Sequence, residues 1–289
     1  MTESNAQTNT QKTKTQPFDL HLHSVCSDGT DTPAGVIERA YKAGVTLAAL
    51  SDHDCVTGVP EALAAGKRLG VRVLPALEMD CEWTHELHIL GLDVDIDESG
   101  LRSALETARK RRVIRNNEII RRLKLAGIEI EPYLNREVDV TTRLHLALAL
   151  VQGGFAGSAR EAFTRYLNRG KPGYFTVERF SPEQVIGLIL GAGGVPVWAH
   201  PMHGNPDPHK LSALLRGYGL MGLEAFHPSV SEGEGALLVS IARQSGMLVT
   251  CGSDYHGANR TDVVPGETWR RCAMLEEARA FFEARPARE

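Results

Sequence analysis

The chain has 289 residues, of which 42% are hydrophobic and 24% charged, with a formal net charge of −4. That length fits one large α/β domain, with or without an insert, and the composition is that of a soluble globular chain. The acidic balance gives no support for a duplex-DNA reader, five cysteines with no CxxC argue for a reducing cytoplasm over a disulfide framework, and no apolar run approaches a membrane span.

Residues 1–17 are rich in Thr, Gln, Asn and Lys and lack the apolar stretch of a leader, which predicts a disordered tail. From residue 18 strand and helix alternate: strand 18–23, helix 33–43, strand 45–51, helix 59–69, strand 71–78 and a strand at 88–91. Asp31 or Thr32 fits as the N-cap of the first helix, and Gly44 as its stop. Residues 99–125 read as one long charged helix, with two shorter helices at 142–152 and 159–168 and little strand signal between them. The alternation then resumes: helix 182–190, strand 195–200, helix 209–218, strand 222–226, helix 236–245, strand 248–253 and a last helix at 276–283. Repeated β-α-β units predict a parallel sheet covered by helices. The domains follow: a barrel from 18–98 and 176–289, interrupted by a helical insertion at 99–175.

Six of the eleven histidines fall in short motifs: Asp19-Leu20-His21-Leu22-His23 with Asp28 after it, Ser51-Asp52-His53-Asp54, His88, Ala199-His200-Pro201 and Gly252-Ser253-Asp254-Tyr255-His256. Glu78 joins them at a strand end. Each motif is expected at or just beyond the C-terminal end of a strand, where a parallel barrel gathers its active site. His21 and His23, two apart on a strand, point the same way, and Asp254 and His256 repeat that spacing. Neutral imidazole and carboxylate are ligands of Zn, Mn and Fe, and so many exceed the needs of one tetrahedral ion. Two or three clustered divalent metals suit phosphate-ester hydrolysis. Cys26, Cys55, Cys81 and Cys251 lie close to these residues and read either as small buried side chains or as oxidation-sensitive thiols.

At DLHLHSVCSDGT, SDHDCVTG, PALEMD, HILGL, VWAHP and CGSDYH the chain resembles the PHP (polymerase and histidinol phosphatase) family of metal-dependent phosphoesterases. KRRVIRNNEIIRRLKLAGIEI, TRLHLALALV and EAFTRYLNRGKPGY resemble the inserted domain of its RNase AM and nucleotide-phosphatase branch, with TRLH where a Gly-Arg-Pro-His run is usual. The resemblance implies a distorted (β/α)7 barrel with a small helical cap, and a site for up to three metals. His21, His23, Glu78 and Asp254 would hold the first, Glu78, His88 and His200 the second, and Asp28, His53 and His256 the third. Manganese is the first expectation, with iron or zinc as alternatives. Asp19, Asp52 and Asp54 read as carboxylates that orient imidazoles, or as turn caps.

The cap implies substrate contacts from Arg112, Arg115, Asn116, Arg143, His145 and Lys171, with His227, Asp28 and His53 at the mouth, while His85, His203 and His209 read as surface or loop residues. Guanidinium groups grip phosphate bidentately. The expected activity is removal of phosphate from a 3′,5′-nucleoside bisphosphate or mononucleotide by water activated at the metals. A 5′-3′ exoribonuclease acting on short 5′-phosphorylated RNA is the alternative. An amidohydrolase, which also opens with His-x-His, and a non-catalytic binding module are the readings from other classes. No membrane contact and no obligate protein partner are expected.

Overall fold

A computed structural model describes residues 16–135, 138–204, 207–270 and 272–288. Among them seven strands form one sheet in chain order: β1 (Phe18–Leu22), β2 (Leu47–Leu50), β3 (Arg72–Asp80), β4 (His88–Leu92), β5 (Val195–Trp198), β6 (Gly222–Phe226) and β7 (Leu248–Cys251). The Asp254 N–H donates to the His21 carbonyl and the His23 N–H to the Tyr255 carbonyl, both at 2.9 Å. These bonds tie the end of β7 to β1 and nearly close the sheet into a barrel. No helix among the described residues is long and apolar enough to cross a membrane.

One strand departs from the parallel expectation: β4 runs antiparallel to both β3 and β5. The cause is the connection. Only residues 81–87 separate β3 from β4, too few for a crossover helix, so the chain turns back on itself as a hairpin. His88 therefore opens its strand. The reversal brings that opening end to the mouth where the other strands finish.

The helices α1 (Pro33–Lys42), α2 (Val59–Leu69), α3 (Ser99–Leu125), α4 (Arg143–Gln152), α5 (Ala159–Ala162), α6 (Pro182–Gly191), α7 (Pro208–Tyr218), α8 (Glu232–Ser245) and α9 (Ala273–Ala284) match the predicted order. Thr32 caps α1 by accepting from the Gly35 N–H, while Asp31 instead takes the Tyr255 hydroxyl and Arg39. Gly44, at φ 84°, ends the same helix in the left-handed region. The helix expected at 236–245 starts earlier, because Ser231 and Glu234 form a capping box. The helix expected over 159–168 is instead the short α5 followed by a π-helical turn, Phe163–Leu167.

Leu20, Leu77, Leu90, Trp198, Leu223 and Val249 belong to the main barrel core. A second cluster joins α1 and α2 to β1 and β2 through Val36, Ile37, Ala62 and Leu50. α3 serves two bodies. Leu101 and Leu105 enter the barrel core, whereas Ile119 and Leu123 pack with Leu146, Leu150 and Leu167 in a separate small core. The insertion is thus held to the barrel by a continuous helix.

Candidate metal centre

Glu78 lies at the centre of the mouth, 1% exposed, with five imidazoles on its carboxylate. Nε2 of His21 and of His23 are each 3.4 Å from Oε2, and Nδ1 of His53 is 3.0 Å from the same oxygen. His88 Nδ1 and His200 Nε2 approach Oε1 at 2.9 and 3.1 Å. Two oxygens on one side chain thus divide the histidines into two sets. Asp254 Oδ1 adds a second acidic point, 3.5 Å from His21, 3.3 Å from His23 and 3.5 Å from His256. Asp28 lies across from it, 3.2 Å from His256 Nε2 and 3.7 Å from His53 Nε2. All nine predicted ligands are therefore brought together.

Local backbone explains how they meet. Period-two alternation along β1 puts His21 and His23 on one face and Leu20 and Leu22 on the other. His200 (φ 32°) and Asp254 (φ 53°) occupy the left-handed region, a strained choice for non-glycine residues that recurs at functional sites. Gly252 passes beneath the cluster. A Cβ there would lie 2.2 Å from Glu224 Oε1 and 2.3 Å from His21 Cβ, so only glycine fits.

The donors fit divalent cations on one observation. Nε2 of His21, Nε2 of His23 and Nδ1 of His53 are buried and make no hydrogen bond, yet all three converge on Glu78 Oε2. An unpaired buried polar atom costs about 1–3 kcal/mol, and three at one point fit a cation as their common partner. The carboxylates are held ionised, and the imidazoles divide: burial lowers His53 and His200, while neighbouring carboxylates outweigh burial and raise His21, His88 and His256, a charge that a cation would displace. Burial would raise the Glu78 carboxyl, but the His53, His21 and His88 imidazoles hold it well below the carboxylate range. Burial likewise opposes the charge on Asp28 and Asp254, and neighbouring histidines hold both down. Burial pushes His53 down to about 3, leaving it neutral as a ligand must be.

The carboxylates expected to orient the imidazoles do other work. Asp19 accepts from the backbone N–H of His21, Ser253 and Gly266. Asp52 ties the Ser24 and Ser27 hydroxyls, holding the loop that carries Asp28. Asp54 pairs with Arg112. The orienting carboxylate is Glu224 on β6, absent from the sequence reading. Its Oε1 is 3.0 Å from His21 Nδ1, and its Oε2 accepts from the His200 N–H at 2.8 Å. Its signal was a lone acid inside an apolar strand. Carboxylates in this position typically carry 10–100-fold of metal affinity. Glu224→Gln is expected to weaken manganese binding by about that range, with calorimetric titration as the measurement. Arg260 was also missed: its Nη1 donates to Asp254 Oδ2 at 2.5 Å, beside His227 Nε2 at 3.3 Å.

The predicted substrate contacts divide. A cleft of about 800 Å³ runs from Asp28, His53 and His88 to Arg112, Arg115, Arg143 and Tyr174 of the insertion. Arg112 is neutralised by buried Asp54, 2.5 Å away. Among the described residues no carboxylate pairs with Arg115, and its Nε and Nη2 donate to Asn116 Oδ1. Burial, then the Arg112 charge, push it down to about 9. Arg143 donates to the Leu167 carbonyl and stacks over Phe163. Asn116 holds Arg115 and the Thr141 carbonyl. His145 Nδ1 accepts from the Thr142 N–H, completing a capping box where the departing TRLH run stands. Lys171 is exposed and outside the cleft. His227 is buried behind Asp254. His85 lines the cleft, the His203 ring lies tilted against His200 at 4.8 Å between ring centroids, and His209 is exposed. The Cys26, Cys55, Cys81 and Cys251 thiols are free and pushed up by burial. They are poor nucleophiles, as expected of packing residues.

A sheet that nearly closes around carboxylate-bridged imidazoles has known counterparts. The PHP domain family model matches residues 19–178. A 3′,5′-nucleoside bisphosphate phosphatase of Chromobacterium violaceum is 34% identical over 268 residues, covering 90% of this chain and 92% of that one. A 5′-3′ exoribonuclease of Haemophilus influenzae is 32% identical over 251 residues, covering 84% and 90%. A solved Chromobacterium violaceum structure, described as an amidohydrolase with bound sulfate and no metal, superposes with a TM-score of 0.83 at 33% identity over 91% of this chain and 96% of that chain. Site and relatives together define a metal-dependent phosphoesterase. The chain belongs to the PHP family. An amidohydrolase centre would call for a metal-bridging lysine at a strand end, and among the described residues every lysine is exposed and none lines the cleft.

Proposed function

We propose that this phosphoesterase removes the 3′-phosphate of a 3′,5′-nucleoside bisphosphate, with segment 99–175 as its substrate cap. One observation carries the reading. A single cleft joins the imidazole–carboxylate cluster to buried Arg115 and half-buried Arg143, two cations with no carboxylate partner among the described residues. A substrate with one phosphate to cleave and a second to grip suits such a cleft, whose volume is that of a small-molecule site.

In this reading His21, His23, Glu78 and Asp254 hold one cation, Glu78, His88 and His200 a second, and Asp28, His53 and His256 a third. Bound there, manganese or another divalent ion supplies Lewis-acid polarisation of the phosphoryl oxygens and acidification of water. The protein's own part is positional. Glu224 holds the His21 ring through Nδ1, so that Nε2 is presented to Glu78. Arg260 and His227 occupy Asp254 Oδ2, so that Oδ1 faces the histidines. Arg115 and Arg143 fix the non-reacting phosphate, which sets the scissile ester against the cluster.

The second reading, a 5′-3′ exoribonuclease, is favoured by the same geometry: a terminal 5′-phosphate on the cap arginines places the 3′ ester of that nucleotide at the cluster. The deciding assay compares adenosine 3′,5′-bisphosphate, AMP and a 5′-phosphorylated RNA pentamer on manganese-loaded enzyme, with His21→Ala as control. Phosphate from the bisphosphate, faster than from AMP and with the pentamer intact, is the expected result. Stepwise mononucleotides from the pentamer would favour the exoribonuclease. No product from any of the three would overturn the nucleotide reading.

A further inference from the structure

Beyond the nine ligand candidates, one more donor reaches the cluster from the cleft rim. Glu86 lies in the link between β3 and β4, and its carboxylate comes within 4.8 Å of ligand nitrogens of His88 and His200. Its side chain is 55% exposed, whereas Glu78, on the same two imidazoles, is 1% exposed. Glu86 Oε1 is 3.5 Å from Nδ1 of His203. His203 belongs to the turn that carries His200: its N–H donates to the His200 carbonyl at 2.9 Å, and the two rings lie 4.8 Å apart. The carboxylate is thus tethered over an imidazole pair by a third histidine from the turn of one member. An exposed Glu–His pair stabilises a fold little, so stability alone is a weak reason for this placement.

We propose that Glu86 is a further metal ligand, a rim carboxylate that takes the cation held by His88 and His200 from the solvent side, with His203 as its positioning residue. The inference rests on the ligand role given above to His88 and His200. With Glu86 added, the second cation would have two imidazoles and two carboxylates, and Glu86 would supply a charge not shared with the first cation, as that of Glu78 is. Because one of the four donors is solvent-exposed, this cation is the most exchangeable of the set. Glu78 and His88 belong to strands, whereas Glu86 and His200 come from segments 81–87 and 200–203, so the solvent side of the site depends on the contact between those two segments.

The test is titration of chelator-stripped protein with Mn(II), followed by calorimetry and by the loss of the free-ion paramagnetic resonance signal. Glu86→Gln is expected to raise the Kd of the weakest class of sites by about 10-fold, within the range for groups supporting a metal site, while tighter classes and the thermal midpoint of the metal-free protein stay unchanged. His203→Ala, which removes the tether but keeps the ligand, is expected to shift the same class by a smaller factor. A Glu86→Gln isotherm identical to wild type, alongside loss of the weak class in His88→Ala, would overturn the role of Glu86 alone. If His88→Ala also matched wild type, the ligand assignment on which the inference rests would fall with it.

Discussion

Glu78→Gln is expected to lower phosphoester hydrolysis by about 10³-fold, equivalent to a loss of roughly 4 kcal/mol of transition-state stabilisation. The residue is isosteric, so the change is one of charge and donor chemistry. Both Glu78 oxygens face imidazole nitrogens, Oε2 toward His21, His23 and His53 and Oε1 toward His88 and His200. An amide keeps one oxygen and turns an NH2 toward the other set. That NH2 meets nitrogens that must be lone-pair donors to a cation, and the carboxylate charge that would offset the metals disappears. Cation stoichiometry is therefore expected to fall together with activity, read by elemental analysis of the purified variant. The fold should survive, because neighbouring Leu77 and Met79 stay packed in the barrel core. A folded variant that keeps its cations and more than a tenth of wild-type activity would sink the bridging role.

The sequence made the candidate ligands legible because strand periodicity is rigid. His21 and His23 could share a face only one way, and the structure places both nitrogens on one Glu78 oxygen. His88 reaches the cluster by a route other than the expected one. It was placed at the end of a parallel strand, but it opens an antiparallel one, and the short link that forces the reversal was the overlooked signal. Glu224 was invisible because it acts through a partner far away in sequence, whereas Arg260 lies only six residues from Asp254 but in an irregular segment with no periodicity to aim it. Glu224 lies 203 residues from His21, and nothing local in its strand names that partner. Asp52 and Asp54 sat beside His53 in sequence, which suggested imidazole partners. The turn, with Asp54 at φ 47°, aims Asp54 at Arg112 of the insertion. In the insertion, the long helix was clear from its charge pattern. That its first turns belong to the barrel core and its later ones to a separate core depends on packing that no local pattern encodes.

Arg115→Ala is expected to raise KM for adenosine 3′,5′-bisphosphate by about 10²-fold while leaving hydrolysis of a generic aryl phosphate within a few fold. Arg115 is 7% exposed and carries its charge with no carboxylate paired to it among the described residues. Burying an unpaired cation is costly, and the depression to about 9 by burial and by Arg112 registers that cost. An arriving phosphate relieves it, so binding gains both a charge-assisted hydrogen bond and the release of that penalty. Truncating one partner of a buried charged pair typically costs about 2–5 kcal/mol, which brackets a hundredfold. Arg112 offers the internal contrast. It lines the same cleft but is matched by buried Asp54, so Arg112→Ala should strand that carboxylate and lower thermal stability, an effect the Arg115 variant should not share. The substrate pair separates the roles. A phosphate subsite predicts a KM effect confined to substrates bearing a second phosphate, whereas a merely structural Arg115 would damage both substrates alike, and that equal loss is the result that would remove it from the binding site.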